Sequence, residues 1–373
     1  MSFRFLHASD LHLGRAFGTF PEAIRYRLRE ARHGAIARLA AAARTGGAAT
    51  ILLAGDTFDA ETPAPDTLRQ ALRAMAAEGD VTWVLLPGNH DSLGATELWR
   101  RIASDAAPNL RLALEPAPVA LALGVTVLPA PCTRRRPGRD LTEWMAETGG
   151  DGLRIGLAHG AVTSFDGEEG APGIIPPDRA TSARLDWLAL GDWHGTLRIT
   201  DRCWYSGTPE PDSFKHDAAG GALLVALEAP GAAPKVERVE TGCFRWCATG
   251  LALLPSEDAP ARLAAALPPP GERRDTLLRL TLTGRLPLPA RAALLRAAEE
   301  AGPDFGWFDC DAARLTVEAR PDDLDLIDRG GALRTAAEAL LTDAGDPALS
   351  PEDRAAAETA LAHLFRLAQE VQA

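Results

Sequence analysis

The chain has 373 residues, 46% of them hydrophobic, enough for more than one domain at the usual ~100–200 residues each. Acidic residues outnumber basic ones 51 to 39, a formal net charge of -12, which argues against indiscriminate nucleic-acid binding because a polyanion repels a duplex. No apolar run reaches the ~18 residues a membrane span needs, so no membrane partner is expected.

Phe3 already opens an apolar strand with no charged-then-apolar leader before it, which points to a cytoplasmic setting. Five apolar runs, FRFLHAS, ATILLAG, VTWVLLP, LRIGLA and LDWLAL, each end at a short polar motif. Runs of this length bounded by Gly or Pro read as buried strands of an open α/β sheet. Residues 22–45 carry apolar positions at helical spacing and stop at Gly46-Gly47, a helix end. Residues 65–78 repeat the pattern, and 139–148 carry it more weakly. The first 90 residues are therefore strand–helix–strand–helix–strand, the order of a parallel sheet. From Asn109 to Pro129 two or three short strands follow (LRLAL, VALAL, VTVLPA), and a second β-rich stretch covers about 196–240. Two sheets packed face to face, with helices outside, are expected.

A boundary is expected near 243–250, giving a catalytic domain over 1–245, an α+β capping domain over 246–345 and a C-terminal helix in 346–373. The capping domain reads as a strand (CATGLALL), a helix over 259–267, a strand (LLRLTLTG), a helix over 289–301 and a strand (ARLTVEA). Ser350 opens the last helix as its cap, with Glu352 and Asp353 in the first turn. The stripe of Ala357, Ala360, Leu361, Leu364 and Leu367 packs on the capping domain or docks a partner. The five cysteines (Cys132, Cys203, Cys243, Cys247, Cys310) lack metal-finger spacing and read as small apolar residues of a reducing compartment.

The polar motifs carry the chemistry. They are Asp10-Leu-His12, Gly55-Asp56-Thr-Phe-Asp59, Gly88-Asn89-His90-Asp91, Ala158-His159-Gly160 and Gly191-Asp192-Trp-His194. An open α/β sheet places its chemistry at the carboxyl ends of its strands, so these residues should converge on one cleft. Hard oxygens mixed with imidazoles suit Mn²⁺, Fe²⁺ or Zn²⁺ better than Ca²⁺. Asp56 is the candidate for a carboxylate spanning two ions. Asn89 offers a carbonyl oxygen, Asp10 and Asp192 further carboxylates, and His12, His159 and His194 imidazoles. A water activated to hydroxide between the ions would be the nucleophile. Side chains of adjacent residues diverge, so His90 is free to face the substrate as an acid or charge stabiliser. Asp59 is placed to accept a hydrogen bond from His90 and fix its tautomer.

This set of motifs resembles the calcineurin-type metallophosphoesterase superfamily, whose pattern is DxH, GDxxD, GNH(D/E), a lone GH and GHxH. The likeness covers about residues 3–210. Within the superfamily, "FLHASDLHLG" and the long helix before "LLAGDTFD" are similar to the SbcD-type DNA repair exonucleases. The resemblance implies a four-layer αββα sandwich, two Mn²⁺ ions, DNA phosphodiester hydrolysis, a dimer and an SbcC-like coiled-coil ABC ATPase partner. It also implies Asp10, His12, Asp56 and His194 around one metal, with Asp56, Asn89, His159 and Asp192 around the other, and His90 on the substrate. One departure stands out: Asp192 occupies an imidazole position of GHxH, and it is expected to remain a ligand.

Arg134, Arg135 and Arg136 follow VTVLPA in a Pro/Gly-containing loop. Planar guanidiniums fit phosphate oxygens in pairs, so these residues are candidates for gripping a DNA backbone. A Gly-, Pro- and acid-rich loop from Phe165 to Pro177 is expected to border the cleft. The alternatives to a DNA nuclease are a phosphodiesterase or phosphatase acting on nucleotides or small phosphoesters, or a non-catalytic DNA-binding subunit.

Overall fold

A computed structural model describes residues 2–162, 174–215, 219–318 and 321–372. The expected loop starting at Phe165 lies outside the described residues up to its last few positions. The chain divides into two compact units, Met1–Trp246 and Cys247–Ala373.

In the first unit, β1 (Phe3–Ala8), α1 (Glu22–Thr45), β2 (Thr50–Leu53), α2 (Pro65–Ala77), β3 (Thr82–Leu85), α3 (Thr96–Asp105) and β4 (Leu110–Leu112) alternate. The four strands pair in parallel in that order. The chain then builds β5 (Val119–Ala122), β6 (Val125–Ala130), β7 (Leu153–His159), the short α4 (Arg179–Ser182), β8 (Trp187–Gly191), β9 (Leu197–Thr200) and β10 (Cys203–Tyr205). These six strands form a separate sheet in the order β5-β6-β7-β8-β10-β9. Finally β11 (Gly221–Leu227) and β12 (Lys235–Glu240) return to the first sheet, β11 lying antiparallel to β1.

Alternate residues of each strand face opposite sides, and both sides are covered. Phe5, Leu52 and Val84 from the first sheet meet Val127, Ile155 and Trp187 from the second in one buried core. Leu6, Ile51 and Trp83 point the other way, onto Ile36 and Leu39 of α1 and Leu72 of α2. Double-sided burial explains why these strands are continuous apolar runs rather than alternating ones. Two multi-stranded sheets flanked by helices are thus the α/β arrangement read from the sequence. The helix read over 139–148 is only a 3-10 turn, Glu143–Glu147.

The second unit holds β13 (Arg245–Leu253, beginning at the boundary), α5 (Ala259–Ala266), α6 (Pro270–Arg273), β14 (Thr276–Pro287), α7 (Leu288–Ala301), β15 (Trp307–Glu318), α8 (Ala332–Gly345) and α9 (Pro351–Gln372). Its three strands are ordered β13-β14-β15, with β14 and β15 parallel. On α9, Ala357 and Leu361 are buried and Leu361 joins a cluster with Leu324, Ile327 and Ala337. Among the described residues no helix is long and apolar enough to cross a membrane.

Candidate metal centre

All five motifs sit at the carboxyl ends of β1, β2, β3, β7 and β8. Leaving a strand this abruptly forces the backbone out of its easy regions. Asp10, His12, Asp56 and Asp192 have φ of 57, 41, 53 and 104°, left-handed values that such residues adopt only when the surroundings impose them. The surroundings here are main-chain bonds between two motif loops. Asp10 N donates to Gly55 O at 3.1 Å, His12 N to Asp56 O at 2.9 Å and Asp59 N to Leu13 O at 3.0 Å. A Cβ on Gly88 would overlap the Asp56 carboxylate, so the third motif approaches the second only because it carries glycine there.

Three imidazoles are oriented alike. His12 Nδ1 lies 3.0 Å from Asp59 Oδ1, His159 Nδ1 donates to Ala54 O at 2.8 Å and His194 Nδ1 donates to Asp212 Oδ1 at 3.1 Å. Each therefore has Nδ1 turned to an oxygen behind it and Nε2 turned inward, the orientation an imidazole ligand takes. Asp56 Oδ2 sits between two of them, 3.4 Å from His12 Nε2 and 3.5 Å from His159 Nε2. Asp10 Oδ1 is 3.8 Å from both His12 Nε2 and His194 Nε2. Ligand atoms lie within 4.8 Å of one another in three sets: Asp10, His12 and His194; His12, Asp56 and His90; Asp10, Asp56 and His159.

These donors fit divalent cations. His159 Nε2 is buried without a hydrogen-bond partner and faces the Asp56 and Asp192 carboxylates, the latter at 3.7 Å. His12 Nε2 and His194 Nε2 stand 3.2 Å apart, two lone pairs that only a proton or a cation reconciles. Burial alone would lower the His159 pKa, yet the charges of Asp56, Asp10 and Asp192 carry it up to about 9. Carboxylates that pull a proton onto a buried imidazole will pull a metal there as well.

Asn89 Nδ2 donates to Asp192 Oδ1 at 2.8 Å, so these two sit together on the His159 side. His90 N donates to Asp56 Oδ1 at 2.8 Å, and its ring stands edge-on to His12. The role expected for Asp59 needs correcting. His90 Nδ1 bonds the main-chain carbonyl of Asp59 at 2.9 Å, while the Asp59 carboxylate serves His12 and approaches Arg15 at 3.6 Å. The bond from Asp59 N to Leu13 O turns that side chain toward the first motif. Of the arginines, Arg135 and Arg136 line a cavity with Asn89, His159 and Asp192. Arg134 instead folds onto Pro137 O at 3.0 Å.

Three supporting residues escape the sequence reading. Asp212 orients His194. Arg32, buried on α1, donates to Leu11 O at 2.8 Å, Asp10 O at 3.0 Å and Glu210 O at 2.8 Å. Asp91 accepts from Phe58 N at 3.0 Å and Gly88 N at 2.7 Å, tying the second and third motifs together. Asp91 closes the third motif and Arg32 interrupts an otherwise apolar stripe between Leu28 and Ile36, so both leave a signal in the sequence, whereas Asp212 leaves none.

A two-sheet α/β fold with carboxylates and imidazoles converging at its strand ends defines a metal-dependent phosphoester hydrolase. Residues 3–217 match the family described as calcineurin-like phosphoesterase, and the chain belongs to that family, whose members bind two divalent metal ions. Among solved structures it is similar to TT1561 of Thermus thermophilus, at 14% identity and a TM-score of 0.43 over 65% of this chain and 100% of that one. It is also similar to GAP50, the anchor in the inner membrane complex of Plasmodium, at 10% identity and a TM-score of 0.41 over 64% and 85%. No curated protein matches the chain.

Proposed function

We propose that this chain hydrolyses phosphodiester bonds, with DNA as its substrate. The supporting observation is Asp56 Oδ2 lying between the Nε2 atoms of His12 and His159, the position of a carboxylate shared by two cations. Asp10, His12, Asp56 and His194 would hold one ion, and Asp56, Asn89, His159 and Asp192 the other. Mn²⁺ is the first choice, with Fe²⁺ and Zn²⁺ suited to the same donors. Bound there, the ions supply Lewis acidity that activates water and neutralises phosphate charge. His90 keeps Nδ1 on the Asp59 carbonyl, which leaves Nε2 to exchange a proton with a substrate oxygen.

DNA is favoured by the likeness of "FLHASDLHLG" and "LLAGDTFD" to the SbcD-type nucleases. With it come an SbcC-like ABC ATPase partner, a homodimer and a cytoplasmic setting as parts of the same proposal. A second reading, hydrolysis of nucleotides or small phosphoesters, is favoured by the net charge of -12. Purified protein with Mn²⁺, assayed on 3′- and 5′-labelled DNA beside bis-p-nitrophenyl phosphate, separates the two. DNA cleavage that His90→Ala abolishes supports the first reading; turnover of the small ester alone supports the second. Inactivity on both would sink the hydrolase proposal.

A further inference from the structure

Beside the metal centre lies a cavity of about 330 Å³, within the size range of small-ligand pockets. One wall is Asn89, His159 and Asp192, and another carries Arg135, Arg136 and Arg139. Ala130, Leu141 and Ile175 add an apolar surface.

Some exposed arginines close on carboxylates, as Arg44 does on Glu78 and Asp80, and Arg100 on Glu97, while others, such as Arg29 and Arg73, have no such partner among the described residues. What sets Arg135, Arg136 and Arg139 apart is that they line one cavity together. Arg135, Arg136 and Arg139 have no ion pair or hydrogen bond with any described residue. Their neighbour Asp140 is engaged elsewhere: it pairs with Arg179 at 2.5 Å and accepts from Thr142 N at 2.8 Å. Among the described residues, three cations without a paired carboxylate thus line a cavity that also holds Asn89, His159 and Asp192 of the candidate metal site. Guanidinium groups so placed match the oxygens of a phosphate, which they bind in forked pairs.

We propose that this cavity is a subsite for a second phosphate, so that the preferred substrate carries another phosphate beside the ester being cleaved. Arg135, Arg136 and Arg139 hold that group, and the apolar wall takes the attached sugar or base. The inference rests on the phosphodiesterase reading and narrows its substrate class. A neighbouring phosphate comes either from a nucleic-acid strand or from a nucleotide anhydride, and the two place it at different distances.

The test compares dTpdT with pdTpdT, dTpdTp and dithymidine 5′,5′-diphosphate as substrates, using the full chain with Mn²⁺. At least one substrate with the extra phosphate should show a KM about tenfold or more below that of dTpdT, with kcat little changed. Which one does so identifies the source. In the triple variant R135A/R136A/R139A that preference should shrink to within twofold. Equal KM values for all four, or a preference that survives in the variant, would overturn the subsite. Calorimetric binding of thymidine 3′,5′-bisphosphate against thymidine 3′-phosphate, with and without Mn²⁺, reads the subsite without hydrolysis. Tighter binding of the bisphosphate should be lost in the triple variant; equal affinities in the natural chain overturn the proposal. If the binding preference is present but no diester is cleaved, the phosphodiesterase reading fails and the phosphate subsite stands.

Discussion

Asp212 lies beside His194, its carboxylate oxygens 3.0 and 3.1 Å from Nδ1. It is almost wholly buried, which would raise its pKa, yet the His194 bond and the Arg32 charge hold it well below the usual carboxylate range. The result is an imidazole fixed in one tautomer, with Nε2 made more basic by the anion behind it. Partners of this kind are worth on the order of 10–100-fold in metal affinity. Asp212→Ala should weaken Mn²⁺ binding by that factor, measured by titration calorimetry. Affinity within twofold of the natural chain would show that Asp212 is only a structural anion for Arg32.

Asp192 sits where the family pattern carries histidine, 3.7 Å from His159 Nε2 and bonded by Asn89. As a ligand, a carboxylate in place of a neutral imidazole would make the ion there a weaker Lewis acid while still offering it a donor oxygen. Anomalous scattering from a Mn²⁺-soaked crystal should show two ions in the natural chain and depletion of the ion beside His159 in Asp192→Ala. A single ion in the natural chain would instead place Asp192 outside the ligand set.

Arg32 offers a test of how the loops are held. Its guanidinium is 1% exposed and bonds the carbonyls of Asp10, Leu11 and Glu210, with Asp212 at 3.9 Å. Removing one member of a buried charged set strands the others, at a cost of roughly 3–5 kcal/mol. Urea unfolding of Arg32→Met should show that loss in the metal-free protein. A loss below about 1 kcal/mol would mean water replaces the guanidinium, which is the expected behaviour only of exposed sites.

These supports mark where reading from sequence stops. Strands β1, β2, β3, β7 and β8 announce themselves because both their faces are buried, so their apolar runs are unbroken. The spacing predicts a helix over 22–45, and α1 spans Glu22–Thr45, ended by the Gly pair. Side-chain direction is another matter. Motif spacing directs Asp59 to His90, but the turn after β2 sends its carboxylate to His12, and no spacing rule reports that. Asp212 and Arg32 act on motifs 18 and 22 residues away in sequence, the latter through main-chain carbonyls that every residue possesses. Helices α3 and α8 are missing from the sequence reading, although Leu98, Trp99 and Ile102 give α3 a clear buried face.

His7 supplies a pH dependence from a residue that is not itself a candidate ligand. Its Nε2 donates to Leu190 O at 3.1 Å, joining β1 of one sheet to β8 of the other. Complete burial outweighs that bond and the charge of Asp10, lowering its pKa from 6.5 to about 3. The folded protein therefore holds His7 neutral where the unfolded chain would protonate it. The neutral form's contribution is fully present above pH 6.5 and is lost as the pH falls from 6.5 toward 3. One such group costs up to roughly 1.4 kcal/mol for each pH unit in that window. Urea unfolding of the metal-free protein at pH 7, 6 and 5 should show stability falling with acid, and His7→Leu should flatten the fall by about one proton's worth. Metal-free protein is needed because acid also releases metal from histidine ligands. An unchanged slope in His7→Leu would mean that His7 titrates normally in the folded state, and that the space between the sheets admits water or an anion at this point.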